Sequence, residues 1–157
     1  MKEVIRNAKE ADFDLIVEMY IRDVEDHIER ARRFARDLLN DMNTALYIID
    51  KEIIGSISWK AKGGLNDGVV ELVSIGVSSN YQKKGIGTKL LRFMINKAQD
   101  NFSEQGYILR IVFLFMEENN ETARKFYLAS EFNEVCVLSS FYPHENAAIF
   151  IKYLKGT

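Results

Sequence analysis

The 157-residue sequence predicts a mixed α/β fold with the element order β-αα-βββ-α-β-α-ββ, a central mixed, mostly antiparallel sheet flanked by helices. Three observations predict it. Two amphipathic helical runs stand between a short leading strand and a hairpin. A strand then runs through a polar, glycine-bearing turn into a third helix. Finally, an almost continuously apolar run precedes a short helix and two closing strands.

The elements follow in order. Met1–Asn7 is a strand candidate. From Glu10 to Asn40 the apolar spacing becomes helical, with a break near Asp23–Asp26. In the second helix Ile28, Ala31, Phe34, Ala35, Leu38 and Leu39 form one stripe, which serves as core or as the face of a homodimer. Ala45–Ile49 and Ile53–Trp59 flank Asp50-Lys51-Glu52 as a hairpin, with Trp59 read as packing. Gly63–Gly68 is a loop by composition, and Val69–Val77 is a strong β segment. Ser78–Lys84 is a polar crossing, and Ile86–Gln99 is helical with Ile86, Leu90, Met94, Ile95 and Ala98 on one side. Tyr107–Phe115 reads as a central strand covered on both faces. Asn119–Ser130 is a helix with Asn119 or Asn120 as N-cap, and Phe132–Tyr142 and Ala147–Leu154 are strands.

Composition narrows the class. With 47% hydrophobic and 28% charged residues the chain is not disordered, and no composition break divides residues 1–157, so one domain is expected. The single cysteine, Cys136, forms no internal disulfide; it sits in an apolar strand and reads as core, and a reducing compartment is the default. The two histidines, His27 and His144, lack zinc spacing, and no metal is expected. A net charge of −2 draws the chain to neither nucleic acid nor an anionic membrane. No apolar stretch approaches the ~20 residues of a membrane span, and Met1–Arg6 lacks the apolar core of a signal peptide, so the cytoplasm is expected.

The chemistry concentrates in Val70–Thr88. A strand, Ile75-Gly76-Val77 at its end, enters a turn, and Gln82-x-x-Gly85-x-Gly87 opens a helix. Glycines at 85 and 87 remove Cβ atoms where a ligand approaches the backbone. The free N–H groups of a helix start, aided by the helix dipole, make an anion site, and Lys83 and Lys84 add positive charge. A phosphate or pyrophosphate is the natural guest. The dinucleotide fingerprint fails because Leu90 stands where its third glycine would. The P-loop fails because Gly87 is followed by Thr88-Lys89 in the wrong order. The alternative to a ligand site is a glycine-rich turn that only starts a helix.

On these residues the sequence resembles the GNAT superfamily of N-acetyltransferases, whose Q/R-x-x-G-x-G/A signature is met by Gln82, Gly85 and Gly87. The resemblance extends to the element order of nearly the whole chain. It implies acetyl-CoA as cofactor, with its pyrophosphate on the backbone of Gln82, Lys83, Lys84, Gly85, Ile86, Gly87 and Thr88. It also implies that Ile75, Gly76 and Val77 pair through main-chain groups with the pantetheine arm.

A second match is Asn120-Glu121-Thr122-Ala123-Arg124-Lys125-Phe126-Tyr127, similar to the family's N-x-x-A-x-x-x-Y helix. The resemblance implies that Tyr127 protonates the departing thiolate and that Asn120 contacts the cofactor arm. Read from the residues alone, Tyr127 is equally an aromatic packed beside Phe126. The family usually ends this helix with Gly-Phe; here Glu131-Phe132 stands instead, which disturbs the helix C-cap.

Acetyl transfer requires a neutral amine, hence a base. Glu71 is the candidate, a lone carboxylate among Val69, Val70, Leu72 and Val73, where desolvation favours proton uptake. The other reading is an edge carboxylate facing solvent or pairing with a lysine. For the acceptor, Phe141–Phe150 resembles the aromatic stretch near the end of N-terminal protein acetyltransferases, which implies Tyr142 near a peptide amine. Against this, the acidic run Asp23–Glu29 suits a polyamine or another cationic amine, or is a solvated helix face. The expected function is N-acetyl transfer by direct reaction in a ternary complex, with a protein amine or a small amine as acceptor. A non-catalytic acyl-CoA-binding module is the alternative.

Overall fold

A computed structural model describes residues 2–155; Met1, included in the expected first strand, lies outside them. The strands run in the order β1-β2-β3-β4-β5-β7-β6. The ladders β1–β2, β2–β3, β5–β7 and β6–β7 are antiparallel and β4–β5 is parallel, so the sheet is mixed and mostly antiparallel, as the sequence predicts. The chain forms two compact units: residues up to Lys60 with Ser74–Lys97, and Ala61–Val73 with the residues from Ala98 onward.

The first unit holds β1 (Glu3–Asn7), α1 (Phe13–Asp23), α2 (Ile28–Asn40), β2 (Asn43–Ile49), most of β3 (Glu52–Lys62), the end of β4 (Val69–Val77) and the start of α3 (Ile86–Glu104). The β2–β3 turn needs only Asp50 and Lys51, both at positive φ (48° and 71°), whose twist matches that of the flanking strands. The stripe on α2 is core: Ala31, Ala35 and Leu38 bury against Ile16, Val17, Met19 and Tyr20 of α1 and Leu46 and Ile48 of β2, while Ile28 stays exposed. His27 caps α2, its Nδ1 accepting the Arg30 N–H at 3.2 Å. Arg6 grips the buried Asp12 carboxylate in a two-toothed pair at 2.8 Å, which holds that carboxyl below the usual carboxylate range.

The second unit holds the start of β4, the end of α3, β5 (Ile111–Glu117), α4 (Glu121–Ala129), β6 (Asn133–Leu138) and β7 (Ala147–Tyr153). Three expectations are corrected here. The strand expected over Tyr107–Phe115 begins only at Ile111; Tyr107 and Ile108 are exposed, and the ladder starts where the Gly68 carbonyl accepts the N–H groups of Arg110 and Ile111. Cys136 is exposed rather than core, because β6 ends the strand order and leaves Val135 and Val137 exposed beside it. Helix α3 runs past Gln99 because buried Phe102 extends the Met94–Ala98 stripe by one turn. No helix among the described residues is long and apolar enough to cross a membrane.

Candidate functional site

In the first unit the loop after β4 is fixed at its base and open at its tip. The Ser78 N–H donates to the Ile54 carbonyl at 2.8 Å, and its hydroxyl donates to Asp23 at 2.6 Å. Arg22 holds the same Asp23 and donates to the Ile53 carbonyl at 2.6 Å, and the Asp23 carboxyl lies below the usual range because of Arg22 first and Ser78 after it. The Gln82 amide then folds back to the Val77 carbonyl at 2.9 Å. Lys83 takes a left-handed φ of 62° and Gly85 one of 81°. Such a conformation in a non-glycine residue costs on the order of 1–3 kcal/mol and gathers at ligand-binding loops.

A side chain added at Gly85 or Gly76 would meet no protein atom within 4 Å, so both glycines border open space. Lys89 donates the helical hydrogen bond to the Gly85 carbonyl, which leaves the N–H groups of Ile86, Gly87 and Thr88 without helical partners. Lys84 lies over the Tyr81 ring at 5.5 Å, and Lys83, Lys84 and Gln82 are exposed. Donor-rich main chain, flanking cations and open glycines fit a phosphate-bearing cofactor. Gly55, not singled out by sequence, completes the arrangement: a Cβ there would press on the Gly76 carbonyl at 3.2 Å and on Leu90 at 3.1 Å. A lone glycine inside a strand pattern is the signal for such a close approach.

In the second unit the β4–β5 ladder is registered over Val69–Glu71 against Ile111–Phe113 and stops there, while β4 itself runs on to Val77. Glu71 stands at this last pair. Its carboxylate, 14% exposed, lies 3.0 Å from Lys62 Nζ, the pairing with a lysine that the sequence leaves open beside the lone carboxylate. Which lysine it would be is not legible in the sequence, because a glycine-bearing loop separates the two residues.

Tyr127 is buried on α4, its ring against Phe126, Phe132 and Phe150. Burial pushes its phenol up to about 12. Asn120 is the α4 N-cap, Oδ1 accepting the Ala123 N–H at 3.0 Å, which leaves its amide N–H groups free of the cap. Ser130 is the C-cap, Glu131 after it takes the left-handed conformation (φ 66°) that glycine would otherwise take, and the Phe132 N–H returns to the Tyr127 carbonyl at 3.0 Å.

The β6–β7 connection carries Tyr142, stacked on His144 and edge-on to Phe141, which itself stacks on Phe115. The Glu117 and Glu145 carboxylates lie 3.3 and 3.7 Å from His144 Nε2. Glu145 also accepts the Asn119 N–H at 3.0 Å, which ties the connection to the start of α4. Burial, then Glu117 and Glu145, push the Tyr142 phenol up. In the first unit, Asp23, Glu25 and Glu29 of the acidic run are paired with the chain's own Arg22, Arg30 and Arg32.

The sequence pattern of the acetyltransferase (GNAT) family matches residues 4–132, and the chain belongs to that family, which uses acetyl-CoA. Solved structures share its fold. The ribosomal-protein-S18-alanine N-acetyltransferase from Escherichia coli is 18% identical, with a TM-score of 0.77 over 98% of this chain and 95% of that one. NAA60 of Arabidopsis thaliana in complex with acetyl-CoA is 20% identical, TM-score 0.72, over 98% and 99%. The NatC complex bound to Gag peptide and CoA is 22% identical, TM-score 0.74, over 99% and 100%. No curated protein matches the chain by sequence.

Proposed function

We propose that residues 1–157 act as a single N-acetyltransferase domain that moves an acetyl group from acetyl-CoA to a primary amine in a ternary complex, in the cytoplasm. The observation that carries this reading is the open turn at the start of α3, with Gly85 at φ 81° and the Ile86–Thr88 N–H groups without helical partners. The backbone of Gln82–Thr88 holds the pyrophosphate, with Lys83 and Lys84 beside it. Main-chain groups of Ile75, Gly76 and Val77 take the pantetheine arm, and the end of the β4–β5 ladder at Glu71 supports this. Asn120 offers its free amide N–H groups to the same arm.

Acetyl-CoA supplies an activated acyl carbon. Glu71 accepts the proton of the attacking ammonium, directly or through water. Tyr127 donates to the sulfur that leaves; with its phenol at about 12 it keeps its proton over the whole working range. Because a thiol titrates near 8.5, full transfer from the phenol is uphill, so a short hydrogen bond to the thiolate is the larger part of its contribution.

For the acceptor, Tyr142 with the Glu117 and Glu145 carboxylates supports a cationic amine carried on a peptide or a small molecule. The peptide-bound NatC and the alanine N-acetyltransferase point the same way for proteins of this fold. A thermal-shift titration tests the donor. Acetyl-CoA at a hundredfold excess over Kd adds about 2.7 kcal/mol of stability, and NAD adds none. No shift with acetyl-CoA would overturn the reading.

A further inference from the structure

The candidate base already holds a primary amine. Lys62 ends β3, and the chain then reverses through Gly63 (φ 69°), a short 3-10 turn at Leu65–Asp67 and Gly68 (φ 67°) before entering β4. The Gly64 N–H donates to Asp67 at 2.8 Å, and Arg110 donates to the Asp67 carbonyl at 2.7 Å, so this reversal is pinned. It delivers Lys62 Nζ to 3.0 Å from Glu71 Oε1. Among the described residues Glu71 has no other ion pair or side-chain hydrogen bond, although it is only 14% exposed. Among the described residues most ion pairs use arginine, which accepts no acetyl group; this one uses a lysine that is 44% exposed.

We propose that Lys62 is itself an acetyl acceptor, a self-acetylation site served by Glu71. The inference rests on the reading of Glu71 as base and acetyl-CoA as donor. The Lys62 ammonium gives one proton to the Glu71 carboxylate. The neutral Nζ attacks the thioester carbon, the C–N bond forms, the C–S bond breaks, and CoA leaves as a thiolate. The amine's remaining excess proton and the one on Glu71 pass to the thiolate and to solvent, so that N-acetyl-lysine, CoA thiol and one released proton balance the reaction. The product carries no charge. Glu71 thereby loses its partner, and an external ammonium meets an unoccupied carboxylate.

The experiment follows intact chain incubated with acetyl-CoA, with peptide mass spectrometry at each lysine and a parallel thermal shift. Lys62 is expected to gain one acetyl group at least about tenfold faster than exposed Lys2 and Lys51, at a rate independent of protein concentration. Glu71→Gln is expected to slow labelling of Lys62 by about 10²-fold, the lower end for loss of a general base, without slowing Lys2 or Lys51. Lys62→Arg keeps the ion pair and is expected to lose the label. Stabilisation by acetyl-CoA with Lys62 labelled no faster than Lys51 overturns self-acetylation and leaves the acetyltransferase reading standing. A rate that rises with protein concentration overturns internal transfer. Absence of stabilisation by acetyl-CoA overturns both.

Discussion

In the proposed reading the two units contribute different parts of the chain. The first, with an aliphatic core around Ile16, Leu46 and Ile53, presents main chain: three helix-start N–H groups, two open glycines and a lysine held at positive φ. The second is aromatic, with one run of rings through Phe113, Phe115, Phe141 and Tyr142 and another in which Tyr127 meets Phe126, Phe132 and Phe150, and it presents side chains: Glu71, Tyr127 and Tyr142. Main-chain groups are fixed by backbone shape, so they survive most substitutions and fail when the shape changes. Side-chain groups fail one atom at a time. Binding and chemistry should therefore come apart under mutation.

The largest expected effect is Tyr127→Phe. It removes one hydroxyl without altering the ring packing, so turnover should fall about 10²–10⁴-fold while acetyl-CoA affinity and melting temperature stay nearly constant. Steady-state kinetics beside a thermal shift separates these. In the wild type, no alkaline loss of rate below a pH of about 12 should trace to this phenol, since burial keeps it protonated to that point. Gly85→Val is the converse. A β-branched residue at φ 81° distorts the turn, and acetyl-CoA affinity should fall about 30- to 100-fold, or about 2–2.7 kcal/mol, with little change in the fold of the second unit. Equal loss of affinity in both variants would break the comparison.

Smaller effects test the frame around each half. Asp12→Asn leaves Arg6 without its charge partner and should cost about 2–3 kcal/mol at neutral pH, read by denaturant unfolding. The sign with pH is definite. The folded carboxyl of Asp12 lies below its unfolded value, so its stabilisation is present above the unfolded value near 3.9 and is lost as pH falls through the folded one. The variant's unfolding should therefore show a shallower acid limb. Smallest, Glu131→Gly relieves the left-handed residue that follows the α4 C-cap and should raise stability by about 0.5–1 kcal/mol, a few degrees in melting temperature, with turnover unchanged.

Legibility in the sequence follows the same division. The turn at Gln82–Gly87 was readable because glycine spacing reports backbone shape directly, and the helices were readable because their apolar stripes repeat. What escaped depends on partners distant in the chain. Hydrophobicity placed Cys136 inside, but burial on β6 needs a strand on its far side and the strand order supplies none. Tyr107 and Ile108 are apolar yet exposed, since their run precedes the ladder that begins at Ile111. Asp100-Asn101 masked the last turn of α3, whose only apolar anchor there is Phe102. Lys62 meets Glu71 only because a pinned reversal sets the register. The Arg22–Asp23–Ser78 tether gave no pattern at all, joining the end of a helix to the end of a strand.

The turn before α3 has one more implication, for how such a surface is discovered. An alanine scan through Gln82–Thr88 deletes side chains, whereas the groups aimed outward here are N–H bonds that every alanine retains. Most positions would score as silent, and Gly85 would register through its backbone angle rather than through any contact removed. A surface built of main-chain donors is thus one that side-chain deletion hardly sees. Mapping it calls for changes to the peptide group itself, such as ester replacement of single amides.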